Sequence, residues 1–313
     1  MKIQLHDGEI KEIAKTEPEA LEVLNHSTSH LLAQAVQTLY PGTLFGFGPA
    51  IENGFYYDFD FGDKVITEAD LPAIEKKMKE LAGKDLKFVR ELVTKEEALK
   101  VFETNPYKQE LIEGINEDIT LFRQGEFVDL CRGPHIMSTG IIKHFKLLSL
   151  AGAYWRGDSK NKQLTRIYGT SWYTAEELQA HLTLIEERKK RDHRLLGKQL
   201  ELFMLSEYGP GFPFWLPNGM VLRNQIEAYW KAQHDKYDYV QIKTPTMLSK
   251  ELWEISGHWA NYRENMYTSQ IDEKEFAIKP MNCPGGMLVY KRDIHSYKDF
   301  PLRLGELGLA SWR

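Results

Sequence analysis

The sequence has almost no cysteine. Cys131 and Cys283 are the only two in 313 residues, and they sit in different motifs. Two such distant thiols give no disulfide framework, which fits a reducing compartment. Long apolar runs are also missing. No stretch approaches the ~18 consecutive apolar residues of a membrane span. The N-terminus, Met1-Lys2-Ile3-Gln4-Leu5-His6-Asp7, has no apolar signal core. These absences predict a cytoplasmic protein with no membrane partner. A basic excess is lacking too: 40 Lys and Arg against 45 Asp and Glu leave a net charge of −5. A nucleic-acid partner therefore has to meet a local patch. There is no repeat and no low-complexity tract. What is present is ordinary for a globular chain, 42% hydrophobic and 27% charged, and long enough for two domains.

The most informative stretch is Asn25-His26-Ser27-Thr28-Ser29-His30. His26 and His30 are four apart, so on a helix both imidazoles share a face. Leu24, Leu31, Leu32, Ala35, Val36 and Leu39 supply an apolar face for that helix, and Pro18 suits its first position. A second stretch, Asp129-Leu130-Cys131-Arg132-Gly133-Pro134-His135, adds a thiol and an imidazole. Its Gly-Pro step predicts a tight loop. Three His and one Cys are the inventory of a metal site or of a water-activating hydrolytic site.

In chain order the pattern is α+β without βαβ regularity. Asn53-Gly54 between β-prone runs predicts a hairpin. Thr67 to Asp70 and Thr94 to Ala98 have the form of helix starts. Strands are expected at 88–93, 126–131, 145–150 and 164–172. A long helix is expected from Thr174 to about Gly197, carrying the basic run Arg188 to Arg194 either as a solvated face or as a phosphate-contacting stripe. Beyond it, a helix with Leu222, Ile226 and Trp230 is expected, then strands at 239–245 and 275–280. Trp155 and Tyr154 read as packing residues, and Arg156 with Asp158 as an ion pair.

Taken together, these motifs resemble the threonyl-tRNA synthetase family. The resemblance runs from about Glu19 to Gly308. It is carried by His26 to His30, Asn53 to Asp58, Tyr107-Lys108, Val128 to His135 and Gly152 to Asp158, in that order. Lys279-Pro280-Met281-Asn282-Cys283-Pro284-Gly285 matches the family's zinc-ligand strand. The implied fold is an α+β editing domain with an antiparallel or mixed sheet, then an incomplete class II antiparallel-sheet domain. The implied boundaries are 1–18 for a remnant of the N-terminal region, 19–175 for editing, 176–199 for a basic linker helix and 200–313 for the start of the catalytic domain. The family's dimer interface would involve the helix from about Met220 and the strand ending at Pro245.

The implied activity is hydrolysis of seryl-tRNA(Thr), because one missing methyl group supports only ~10–200-fold rejection at a synthetic site. The resemblance gives His26, His30, Lys108, Asp129, Cys131 and His135 to catalysis, Tyr57 and Met281 to substrate binding and Cys283 to a metal. Editing is expected to need no cofactor. Zinc, ATP and magnesium serve the family's threonylation of tRNA(Thr), which is not expected of this chain alone. By ungapped count the ATP-binding arginine is replaced by Trp312, and the two histidines that would complete zinc binding with Cys283 are missing. Cys283 is then expected as a buried, unliganded thiol. Residues from about 200 onward are expected to lack a complete core and to be partly mobile or aggregation-prone. A catalytically inert tRNA-binding or dimerising fragment, and a zinc hydrolase, are the alternatives.

Overall fold

The computed structural model describes residues 1–311; Trp312 lies outside the described residues. The chain divides into two compact units, Met1–Lys189 and Lys190–Arg313.

The first unit opens with a hairpin, β1 (Lys2–Gln4) and β2 (Ile10–Glu12), followed by helix α1 (Pro18–Leu39). Next come β3 (Leu44–Phe45), β4 (Ala50–Ile51), β5 (Gly54–Asp60), α2 (Leu71–Ala82), β6 (Phe88–Val93), α3 (Lys95–Val101) and α4 (Pro106–Glu113). Then follow β7 (Ile119–Gln124), β8 (Phe127–Leu130), β9 (His135–Ile136), β10 (His144–Tyr154), β11 (Gln163–Trp172) and α5 (Ala175–Lys190). Three antiparallel sheets result, ordered β2-β1-β9, β6-β7-β8 and β10-β11-β5-β3 with β4 also on β5. Residues 1–18 are not apart from this unit, since Ile3 and Gln4 pair with Ile136 and His135.

Local signals explain many boundaries. Pro18 opens α1, and Asn53 turns the β4–β5 hairpin with φ 59°. Thr94 caps α3 in a reciprocal pair with Glu97. The amphipathic reading of α1 is corrected: the helix is buried on nearly every side, with every residue from Ser27 to Val36 in the interior. It packs against α2, β5, β9 and β11, so a one-sided apolar stripe is not what the fold asks of it. The long helix after Thr174 is also corrected. It breaks at Arg191–Asp192, and Asp192 caps a new helix, α6 (His193–Gln199), by accepting from the Arg194 N–H. The basic run is thus split over two helices.

The second unit holds β12 (Phe203–Met204) paired with β13 (Phe214–Trp215), then α7 (Pro217–Lys236). β14 (Val240–Gln241) and β15 (Met247–Ser249) precede α8 (Lys250–Ile255) and α9 (His258–Tyr262). β16 (Thr268–Ile271), β17 (Lys274–Ile278), α10 (Cys283–Tyr290) and β18 (Leu304–Gly305) complete it. β15-β17-β16 are antiparallel, whereas β14 and β18 run parallel. The strand expected over 239–245 shrinks to two residues. Its core cluster is small, built on Trp253, Met266 and Ala277. The helix expected with Leu222, Ile226 and Trp230 is α7, and Leu222 and Ile226 are exposed on it.

The core of the first unit centres on α1 and the inward face of β5. Phe59 is fully buried, stacks on Tyr57 at 5.0 Å and meets Phe45 and Phe61. Phe59→Ala should lower stability by about 3–5 kcal/mol, read as a shift of the urea midpoint of the first unit's tryptophan fluorescence.

Candidate active site

Five elements bring the polar groups together, with β9 supplying His135. α1 presents His26 and His30 one turn apart. Between them, Ser27 and Thr28 donate to the carbonyls of Val23 (2.8 Å) and Leu24 (2.7 Å), and the single Ser29 hydrogen is shared between His26 O (2.7 Å) and Gly48 O (2.6 Å), so the hydroxyls are satisfied inside a buried helix. β8 turns Asp129 inward. The bend after it is anchored where the Cys131 N–H donates to Thr120 O and the Thr120 hydroxyl returns a bond to Cys131 O. Gly133 sits at φ 76°, and a Cβ there would meet the Phe122 ring at 3.1 Å, so glycine lets this bend lie against the core. α4, capped by Asn105, carries Lys108, and β5 carries Tyr57.

The imidazole–thiol group is tight. Cys131 Sγ lies 3.3 Å from His26 Nε2 and 3.2 Å from His135 Nε2, and it accepts from the Gly133 N–H at 3.2 Å. His135 Nδ1 is 3.0 Å from Ser27 Oγ. The His135 ring stacks on Phe88 at 4.8 Å and touches Phe122. One ligand atom from each of His26, His30, Cys131 and His135 lies within 4.8 Å of the others. Such a set could hold a cation of the zinc type.

Asp129 is the hub of a second, adjoining group. Its carboxylate pairs with the Lys108 ammonium, accepts from the Tyr57 hydroxyl at 2.6 Å and stands 3.7 Å from His30 Nε2. Lys108 Nζ also donates to Tyr57 Oη at 3.2 Å. Lys108 is 1% exposed and Asp129 2%. A cavity of about 390 Å³, lined in part by Gln37, Tyr40, Phe45 and Phe127, reaches both. His26 and Cys131 are half-buried, whereas His30 and His135 are fully enclosed.

Burial sets the protonation states. It pushes His26 down to about 4 and His30 to about 3, against the opposing charge of Asp129. Burial also takes His135 well below the usual imidazole range. It lifts the Cys131 thiol to about 12. For Asp129, burial acts upward, but Lys108, His30 and Tyr57 outweigh it and the carboxyl stays low. At neutral pH the group is therefore three neutral imidazoles, a neutral thiol and one carboxylate held by an ammonium.

The sequence-predicted residues divide cleanly. His26, His30, Lys108, Asp129, Cys131, His135 and Tyr57 come together. Met281 and Cys283 belong to the other unit. Met281 is 41% exposed, with its sulfur 3.3 Å from His258 Nε2. Cys283, expected on a strand and buried, is exposed at the first position of α10, while Pro284 and Gly285 take the buried places. Among the described residues it joins no cluster of metal-ligating side chains, so the residues present do not fit a zinc ion there. Arg156 does not pair with Asp158; it meets Glu110 at 3.1 Å, because φ 54° at Arg156 turns the chain there. Trp155 is buried, donating to Glu110 and packed on Tyr107, but Tyr154 is 44% exposed. Ser27, Phe88 and Phe122 were missed by the sequence reading. For Ser27 a signal existed: three consecutive hydroxyl residues inside a helix need internal partners when that helix is buried.

Residues 119–168, which span β7 to β11 and hold Asp129, Cys131 and His135, match the family described as "Threonyl and Alanyl tRNA synthetase second additional domain". That defines the class of the first unit. The chain is 57% identical over 308 residues to a threonine–tRNA ligase of Fusobacterium nucleatum, covering 97% of this chain and 50% of that protein. It is 58% identical over 293 residues to the threonine–tRNA ligase of Acetivibrio thermocellus, covering 92% and 46%. The chain belongs to the threonyl-tRNA synthetase family and spans about half the length of these curated relatives. Among solved structures, the RNA binding domain of threonyl-tRNA synthetase from Cryptosporidium parvum aligns over 39% of this chain and 31% of its own, at 39% identity and a TM-score of 0.38.

The depressed histidines make stability depend on pH with a definite sign. A group whose folded value lies below its unfolded value of 6.5 contributes stability above 6.5, and that stability is lost as pH falls toward the folded value. Urea midpoints should fall between pH 7 and pH 4.5, above the window of Asp129. His26→Asn should flatten that slope; an unchanged slope would contradict the assignment.

Proposed function

We propose that the first unit hydrolyses the ester of seryl-tRNA(Thr), with serine as the aminoacyl group removed. The observation that carries this reading is the convergence of the His-Cys quartet with the Lys108–Asp129–Tyr57 group. The family membership supports the substrate class. The proposed domain reading keeps 19–175 for editing, with 1–18 before it, 176–199 as linker and 200–313 as the catalytic-type domain.

Ester hydrolysis requires a positioned water, a proton acceptor and charge stabilisation at the carbonyl oxygen. His26 is neutral and half-buried, so in this reading it takes the proton from water as the water oxygen bonds to the carbonyl carbon. Lys108 is the cation nearest to where the oxyanion forms. Asp129 pairs with that ammonium, and it is the acceptor for the substrate's α-ammonium. The tetrahedral intermediate then breaks its bond to the ribose oxygen, which takes up the proton held by His26, so the ring returns to its neutral state. Cys131 is a poor nucleophile here, because a thiol pushed up to about 12 carries negligible thiolate at neutral pH. Water attack without an acyl-enzyme follows, with Tyr57 fixing the carboxylate. Threonylation of tRNA(Thr) with ATP, magnesium and zinc is the activity we propose for the longer relatives, with Met281 near the amino acid. Exposed Val221, Leu222, Ile226 and Tyr229 on α7 support a homodimer. We place the protein in the cytoplasm.

A second reading is a metal-assisted hydrolysis, favoured by four ligand atoms within 4.8 Å. One assay separates the two. Purified chain should release serine from pre-charged seryl-tRNA(Thr), and His26→Ala should reduce the single-turnover rate by about 100-fold with an unchanged circular dichroism spectrum. Retained activity after dialysis against a chelator supports the water reading; loss that stoichiometric zinc restores supports the metal reading. A folded, inert chain that still binds the tRNA would overturn both.

A further inference from the structure

One thiol faces two imidazoles. Cys131 Sγ already accepts from the Gly133 N–H, and it stands within 3.3 Å of both His26 Nε2 and His135 Nε2. A thiol has a single proton. It cannot satisfy two ring lone pairs; both contacts are met, with the thiol hydrogen used, when one ring aims an N–H at sulfur and the other accepts the S–H.

Ser27 decides between them. Its Oγ has three polar neighbours: Val23 O at 2.8 Å, His135 Nδ1 at 3.0 Å and Ile136 N at 3.1 Å. The carbonyl brings no proton, so the shortest contact requires the hydroxyl hydrogen. The Ile136 N–H fills one lone pair of Oγ. The other lone pair faces His135 Nδ1, which must then bring a proton of its own. The reverse order, with Ser27 donating to His135, would leave two oxygens 2.8 Å apart with no hydrogen between them.

We infer that Ser27 is a positioning residue that holds His135 as its Nδ1–H tautomer. The Nε2 lone pair of His135 then accepts the Cys131 S–H. His26 donates from Nε2 to the sulfur and keeps a lone pair on Nδ1. The proton order thus runs from His26 through Cys131 to His135 and ends on Ser27. Buried polar groups are almost always satisfied, and this order satisfies each contact around the sulfur and the hydroxyl. Its consequence for catalysis rests on the hydrolytic reading above: His26, half-buried and also beside the Pro134 backbone carbonyl, carries its proton on Nε2 and its lone pair on Nδ1, while His135 is spent inside the protein.

The test is long-range proton–nitrogen NMR on the full chain labelled with ¹⁵N-histidine, with His26→Asn and His135→Asn used for assignment. The expected native spectrum has His135 protonated at Nδ1 and His26 at Nε2. Ser27→Ala should mix the His135 tautomers and lower the deacylation kcat by about tenfold with little change in KM. A native His135 protonated at Nε2 overturns the inference, as does a folded Ser27→Ala variant with an unmoved His135 tautomer. Should that variant fail to fold, the native spectrum alone decides. Correct tautomers in a chain that releases no serine would remove the hydrolytic reading and leave the proton order standing.

Discussion

The Lys108–Asp129 pair is the constraint around which the first unit is built. Both groups are enclosed, at 1% and 2% exposure. Taking a carboxylate and an ammonium out of water costs several kcal/mol per ion, and their attraction offsets this only if the remaining lone pairs and protons are met. Tyr57 meets one oxygen of Asp129 and also accepts from Lys108. β5, α4 and β8 must therefore converge on one point. The aromatic rings of Phe45, Tyr57 and Phe59 pack against one another beside that point. A fold that only buried apolar surface would have no reason to place a lysine there. The pair is poor as a source of stability, so its presence points to use.

The same logic governs α1. A helix enclosed on nearly every side carries Asn25, Ser27, Thr28, Ser29, His30 and Gln34 in its interior. Each of these polar side chains costs free energy unless bonded. Asn25 bonds both ways with the Ser171 backbone, Ser29 also reaches Gly48 O, and Gln34 reaches Gln124. These bonds lock α1 to β11, to the loop between β3 and β4 and to β7. The histidines are thus held on a rigid element rather than on a loop, which suits a site needing fixed proton acceptors.

Much of this was legible in the sequence, for physical reasons. The His26–His30 spacing placed both rings on one face because helical geometry is local. The Asn53-Gly54 turn and the Thr94 cap are local too, and both appear where their chemistry asks. What stayed hidden depends on the tertiary surroundings. Nothing local says that α1 is covered on all sides, or that Asp192 ends one helix by capping the next. Arg156 meets Glu110 from another element, where sequence proximity suggested Asp158. The burial of Cys283 was misjudged because its neighbours Pro284 and Gly285, not the thiol, fill the interior. Ser27 shows the limit from the other side: its residue type was visible, but its three partners come from two elements.

Burial also decides what kind of chemistry the quartet can do. Enclosure removes charge from every member at once: it lowers the imidazoles to about 4 and below, and lifts the thiol to about 12. A thiolate–imidazolium nucleophile needs the opposite on both partners, so the arrangement that suits a covalent mechanism is the one this environment opposes. Neutral groups can still take a proton from water, provided the developing charge has a counter-ion nearby. Asp129, kept ionised by Lys108, is that counter-ion for the α1 histidines, since its charge acts on both His26 and His30 against the effect of burial. The buried ion pair and the neutral quartet are therefore complementary parts. In the hydrolysis we propose, one supplies fixed charge and the other mobile protons.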